Sequence, residues 1–374
     1  MKALLCCAAA FVFSLPAIAQ FSSGDLEPIA EQIRDNTGAP AISILVMADG
    51  IVQGEATVGV RAISSDVAAQ NGDLWHMGSI TKSMTATLAA RLVERGELSW
   101  DLTIADALGG EVNGIDPGFE PITFRELLTH TSGLAPNISM RAFLNFERTN
   151  PDARAERIAY ARQMLTQPPA GSPGDTFTYS NAGYIIAGAM MEQQLGARWE
   201  DLITEHVFEP LGLESAGFGP AGSGETVDQP RGHRPVFLGF GRRAVSPDSG
   251  NADNPEVLGP AGRAHMRLED LATYASAHLT GETADGEDFL SDDSLAVLHA
   301  PRLERYAMGW VVQEGGDRPG LLWHNGSNTM NYAEVYADPA SGLVFAFSAN
   351  DHNLRGLGLA FRDAADTLYA HLDD

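Results

Sequence analysis

Two kinds of apolar pattern divide the chain, and their order constrains the fold more than any other feature. Near the N-terminal end an apolar run, Ala41 to Met47, meets the turn Asp49-Gly50 and continues as a second extended run to Val60, which is the pattern of a β-hairpin. Far downstream, strand-like runs return at Leu321 to Trp323, Tyr332 to Tyr336 and Leu343 to Phe347, the last two joined by a turn at Asp338 to Gly342. Between these ends the periodicity is helical. Ile80, Met84, Leu88 and Leu92 recur every four residues before Gly96, which predicts an amphipathic helix beginning at or near Ser79, and further helical patterns cover Ala153 to Leu165, Ala182 to Leu195 and Leu268 to Leu279. Thr123 and Glu126 form a capping box ahead of Leu127 and Leu128. Leu26, Ile29 and Ile33 mark a first helix, and Leu357, Phe361, Leu368 and Leu372 a last one. Strands at both ends with helices between them predict an α/β (α+β) fold. Its single antiparallel sheet would be built from both termini, about 20–78 and about 306–374, with a mainly helical region inserted at about 79–305. The stretch Ser215 to Gly262 carries few helical or strand signals and is expected to wrap the surface or border a cleft.

The first 19 residues belong to a different category. Lys2, an apolar stretch from Ala3 to Leu15, then Pro16 and the small-residue site Ala17-Ile18-Ala19 spell a Sec signal peptide, which leaves a domain of residues 20–374 in the periplasm or outside the cell. That stretch is too short for a membrane span, and no later segment is long and apolar enough, so no transmembrane anchor is expected after cleavage. Both cysteines, Cys6 and Cys7, lie inside the signal, so a mature domain would have no disulfide and no cysteine-based zinc site. The formal net charge of −25 becomes −26 without Lys2, and such a surface repels nucleic acid.

Cation usage is sharply biased: the chain has 22 arginines and two lysines, Lys2 and Lys82. Arginine stays protonated in proteins, whereas a buried lysine can lose its proton and act as a base. Lys82 stands in Ser79-Ile80-Thr81-Lys82 at the start of a predicted helix, a spacing that puts hydroxyl and amine on one face, beside the free N–H groups of a helix N-terminus. Tyr179-Ser180-Asn181 follows the Pro/Gly-rich loop Pro168 to Gly174 and directly precedes a helix. A tyrosine there can relay a proton and an asparagine amide can hold a substrate carbonyl, although Ser180 or Asn181 would also serve as helix caps. His324-Asn325-Gly326-Ser327 ends an apolar strand, where the glycine would let a substrate lie close to the backbone.

In this order the three elements resemble the active site of the serine β-lactamase and penicillin-binding protein superfamily, above all its class C β-lactamase, DD-peptidase and esterase branch. The segments Leu127-Leu128-Thr129-His130-Thr131-Ser132-Gly133-Leu134 and Phe208-Glu209-Pro210-Leu211-Gly212-Leu213 look like the same branch. The resemblance implies that Ser79 is the nucleophile, Lys82 its activating partner and Tyr179 the proton shuttle. It makes Asn181, His324, Gly326 and Ser327 substrate-binding, with the backbone N–H groups of Ser79 and Ser327 as oxyanion hole, and makes His130 to Leu134 structural. Where most β-lactamases of the group have lysine in the third element, this chain has His324, as certain DD-peptidases, D-aminopeptidases and esterases do. The expectation is an exported hydrolase that acts through an acyl-Ser79 intermediate on a small ester, amide or D-amino-acid peptide. A DD-carboxypeptidase or weak β-lactamase, or a non-catalytic binder of peptidoglycan fragments, are the alternatives. No cofactor is implied, and no metal, since the ten histidines show no ligand spacing. A Gly-x-Ser-x-Gly elbow is absent, and the glycine pattern Gly217 to Gly222 neither follows a clear strand nor opens a helix, so neither an α/β-hydrolase nor a dinucleotide site is indicated.

Overall fold

The computed structural model describes residues 21–139, 146, 150, 152–237 and 240–371. The expected signal segment lies outside them, as does Leu372 of the last helical pattern.

Helix α1 (Ser23–Thr37) leads into the hairpin β1 (Ala41–Ala48) and β2 (Ile51–Gly59), then the short strand β3 (Trp75–His76). The helical middle contains α2 (Thr81–Glu94), α3 (Phe124–Leu128), α4 (Arg154–Leu165), α5 (Asn181–Leu195) and α6 (Leu268–Thr280). Strands β4 (Gly217–Phe218), β5 (His233–Phe237), β6 (Phe240–Ala244) and β7 (Ala264–Met266) precede α6, and β8 (Val311–Val312), β9 (Leu322–Ser327), β10 (Tyr332–Asp338), β11 (Leu343–Ala349) and α7 (Leu354–Ala370) close the chain. The main sheet runs β2-β1-β11-β10-β9-β8, antiparallel throughout, with Ile42 opposite Ala349 and Tyr332 opposite both Ala349 and Ser327. The two ends of the chain therefore meet at β1 and β11.

Both faces of this sheet are covered, which is why β1 is buried along its whole length and apolar at every position but Ser43. Ile42, Ile44 and Val46 join Phe345, Phe347 and residues of α1 and α7 in one core. Leu45 and Met47 face the larger core formed with the helical middle.

Two expectations are corrected. Helix α2 is not amphipathic: residues 81–90 and Leu92 are all buried. Its polar positions are satisfied internally, with Thr85 Oγ1 donating to Pro260 O at 2.7 Å and Ser83 Oγ to Ile80 O at 2.8 Å, so a polar residue there does not mark a solvated face. The stretch 215–262 is not featureless, since it carries β4 and the β5/β6 hairpin. Those strands are short, and Pro235 and Gly241 inside them mask the alternation that would have shown them.

Candidate active site

Three constraints, two of backbone pairing and one from a side chain, fix the turn that carries Ser79. β3 pairs with β7, Trp75 opposite Met266 and His76 opposite His265. Met77 N–H donates to Ala264 O at 2.8 Å. Thr81 Oγ1 donates to Gly78 O at 2.7 Å. A 3₁₀ turn, Gly78–Ile80, then feeds α2. Gly78 is left-handed (φ +50°), and a Cβ there would fall 2.1 Å from Ser327 N. Only glycine fits that position, on both counts.

The face of Gly326 expected to receive substrate is occupied by the same turn. A Cβ on Gly326 would lie 1.9 Å from Met77 O and 2.6 Å from Ser79 N. The glycine marks a close approach, and what approaches is the backbone of the Ser79 turn. The end of β9 and Ser79 N–H thus lie side by side.

Lys82 is fully buried one turn into α2. Its Nζ lies 3.1 Å from Ser79 Oγ and 2.6 Å from Ala261 O, and 5.0 Å from the centroid of the Tyr179 ring. Burial, with no carboxylate to oppose it, pushes its pKa down to about 7. A substantial fraction is then neutral amine at physiological pH. Tyr179 is 37% exposed, and its hydroxyl is hydrogen-bonded with Ser79. Burial raises its pKa, and the hydrogen bond with Ser79 offsets that only partly, so it remains a phenol throughout the neutral range.

His130 brackets Tyr179. Its carbonyl accepts from Thr178 N at 2.9 Å, its Nδ1 accepts from Ser180 N at 3.1 Å, and its ring centroid is 4.3 Å from that of Tyr179. It does so from a left-handed backbone (φ +60°). Sequence reasoning assigned this segment a structural part and did not connect it to Tyr179; the link is made by fold contacts over 50 residues, with no local signal. Ser180 caps α5, its Oγ accepting from Gly183 N at 3.3 Å and donating to Ala135 O at 2.7 Å. Asn181 opens that helix with its amide donating to Asn137 Oδ1 at 3.1 Å.

His324 sits beneath the site, 3% exposed. Its Nδ1 lies 2.5 Å from Asn325 O, a carbonyl that can only accept, so Nδ1 carries the hydrogen and Nε2 accepts from Tyr306 O–H at 3.1 Å. Burial, reinforced by Lys82, pushes its pKa down to about 3, so the ring is neutral and both nitrogens are engaged. The Ser327 hydroxyl is likewise committed, donating to Asn331 O at 2.6 Å and accepting from Thr329 N at 2.8 Å. What Ser327 can offer the cleft is its N–H. Among the described residues no group of three or more histidine, cysteine, aspartate or glutamate side chains is placed to hold a metal.

A serine hydroxyl beside a lysine amine without an acidic partner, on a helix end facing a phenol, belongs to a serine hydrolase, and the comparisons with known proteins agree. A family model described as beta-lactamase matches residues 26–368, and the chain belongs to that family. Penicillin-binding protein 4 of Amycolatopsis lactamdurans is 27% identical over 334 residues, covering 86% of this chain and 83% of its own. Among solved structures, an octameric penicillin-binding protein homologue from Pyrococcus abyssi superposes with a TM-score of 0.75 at 24% identity, over 92% of this chain and 77% of that one. A D-amino acid amidase from Ochrobactrum anthropi does so with a TM-score of 0.73 at 18% identity, over 92% and 97%. The mixed α/β fold with its antiparallel sheet is that of these neighbours. No helix among the described residues is long and apolar enough to cross a membrane.

Proposed function

We propose that the chain is an exported hydrolase that forms an ester between Ser79 Oγ and the acyl group of a small ester, amide or D-amino-acid peptide. The observation that carries this is the fully buried Lys82 Nζ, 3.1 Å from Ser79 Oγ and partnered otherwise by a carbonyl alone. The two shifted groups divide the labour. With a pKa of about 7 Lys82 can accept the Ser79 proton, whereas Tyr179, held above the ordinary phenol value, keeps its own and can only exchange one for another. As Oγ adds to the substrate carbonyl, its proton moves to Nζ and negative charge develops on the carbonyl oxygen, received by the N–H groups of Ser79 and Ser327. The tetrahedral adduct collapses, the bond to the leaving group breaks, and Tyr179 protonates that group while taking a proton from Lys82. Water then attacks the acyl ester along the reverse proton path, releasing the acid and restoring Ser79. Export rests on the signal pattern in residues 1–19.

Neutral His324 sets the substrate preference. It offers no fixed positive charge to a substrate carboxylate, so uncharged esters should be turned over with higher kcat/KM than penicillins. The relative named a penicillin-binding protein supports a second reading, acylation by β-lactams or cell-wall peptides. One experiment tests both: labelling with a fluorophosphonate and with a fluorescent penicillin, peptide mapping of the adduct, and kcat/KM for esters, D-amino-acid amides and penicillins. The adduct is expected on Ser79, and Ser79→Ala should lose labelling and turnover together. An adduct elsewhere overturns the mechanism, and a penicillin preferred over every ester and amide tried replaces the first reading with the second.

A further inference from the structure

Asp253 lies in the long segment before α6, is 7% exposed, and forms no part of the chemistry above. Its two carboxylate oxygens face different elements. Oδ2 lies 3.0 Å from His76 Nε2, and His76 Nδ1 accepts from Gly78 N–H at 3.0 Å. A nitrogen that accepts from a backbone N–H carries no hydrogen, so the ring hydrogen is on Nε2 and donates to Asp253. Oδ1 accepts from Asn328 Nδ2 at 3.1 Å. Asn328 is the residue after Ser327, and its own Oδ1 accepts from Met330 N, Asn331 N and Asn331 Nδ2 at 3.0–3.2 Å, which fixes the turn between β9 and β10. Arg263 Nε adds a contact to Oδ2 at 3.3 Å. Burial alone would raise the Asp253 pKa, but His76, Arg263 and Asn328 overcome it and hold the carboxyl below its ordinary value, so it is ionised.

The relay thus runs from Gly78, the residue before Ser79, to Asn328, the residue after Ser327. Between its ends the two segments touch, as the positions of Gly78 and Gly326 require. We propose that Asp253 is a positioning residue for the oxyanion hole, holding through His76 and Asn328 the two backbone segments that present the Ser79 and Ser327 N–H groups. The proposal rests on the reading of Ser79 as nucleophile. It needs an acceptor on both sides, which aspartate supplies and asparagine does not. In Asp253→Asn one side must meet an N–H where it needs an oxygen: His76 cannot move its hydrogen to Nδ1 without opposing Gly78 N–H, and Asn328 cannot flip without abandoning three donors.

The experiment compares Asp253→Asn with the wild type on a 4-nitrophenyl ester, with folded sites counted by fluorophosphonate titration. It adds the inhibition constant of a phenylboronic acid, whose tetrahedral adduct puts an oxygen in the hole. Removing a direct oxyanion donor lowers kcat by about 10²–10³, so displacing both through their supports should lower kcat per titrated site by about 10- to 100-fold. KM should stay within about threefold, boronate affinity should fall by the same factor as kcat, and labelling should still map to Ser79. Unchanged kcat per site with unchanged boronate affinity would overturn the proposal, even if the variant melts earlier, because a purely structural role predicts that outcome. Asn328→Ser releases only the β9 side and serves if Asp253→Asn does not fold. It should lose at least about tenfold in both quantities, and no loss overturns the proposal equally. An adduct mapping away from Ser79 in the wild type would instead refute the underlying reading.

Discussion

Among the described residues two cations are fully buried, Arg157 and Lys82, and they are treated in opposite ways. Arg157 on α4 meets two carboxylates, Glu192 of α5 and Glu200, and also donates to Glu256 O at 3.2 Å. Burial works to lower its pKa, and the two carboxylates more than reverse that. Lys82 on α2 has a hydroxyl and a carbonyl and no acidic partner, so burial prevails. A buried ion with its counter-charges is held in its charged form, and one without them is poised to give the charge up. The residue types match the roles: the guanidinium, which cannot be deprotonated, stands at the paired site, and the only lysine outside the signal pattern stands at the unpaired one.

The comparison breaks most visibly if the roles are exchanged. Lys82→Arg puts a permanent cation in the unpaired site, and single-turnover acylation of Ser79 by a fluorogenic ester should slow by about 10²–10⁴, the usual contribution of a general base. Circular dichroism should show the fold retained. A folded variant with most of its acylation rate would mean that Lys82 serves only as charge or packing.

The paired site should fail in stability instead. Arg157→Leu strands Glu192 and Glu200, and urea denaturation at pH 7 should show a loss of about 3–5 kcal/mol, with kcat per folded site unchanged. Glu192 is already raised by burial, so without Arg157 its folded pKa rises further. The unfolded state then binds fewer protons than the folded one, and the loss should shrink as pH falls toward 5.

A smaller effect of opposite sign is expected when the unpaired cation is removed. The depression of Lys82 from 10.5 to about 7 corresponds to about 5 kcal/mol against folding once the amine is charged in both states. Stranding Ala261 O returns about 1–3 kcal/mol of that. Lys82→Met should therefore be inactive and more stable than the wild type by about 2–4 kcal/mol at pH 6. Between pH 7 and 10.5 the unfolded chain binds more protons, so wild-type stability rises and the gap should close toward pH 10. Equal melting temperatures of the two proteins at pH 6 would show that Lys82 carries no such strain.

How much of this was legible beforehand depends on distance along the chain. Ser79 and Lys82 are three residues apart on one helix, so spacing and the arginine bias exposed them together. The terminal strands were legible because apolar runs and turn residues mark each one locally. The helix they flank was misjudged as amphipathic, because Thr81, Ser83, Thr85 and Thr87 look solvated in sequence while their hydroxyls are satisfied in the core. Gly326 announced a close approach without saying that the Ser79 turn makes it. Ala261 supplies a backbone carbonyl, which leaves no trace in residue identity. Asp253 is one of 49 acidic residues, and only the fold sets it between His76 and Asn328.

The central claim is that Ser79 is activated by a neutral, desolvated Lys82, and the pH dependence of acylation tests it most directly. Three titratable groups that face Lys82 and Ser79 stay in one form across the neutral range: His324 is held near 3, His130 well below its ordinary value by burial with Lys82 and His324 adding to it, and Tyr179 above its own. Stopped-flow acylation by an uncharged 4-nitrophenyl ester between pH 5.5 and 9 should therefore titrate as a single group. The rate should rise about tenfold per pH unit in the acid limb, bend near pH 7 and level above it. A rate that is flat from pH 5.5 upward, or that still climbs about tenfold per unit at pH 9, in folded enzyme, would contradict the account.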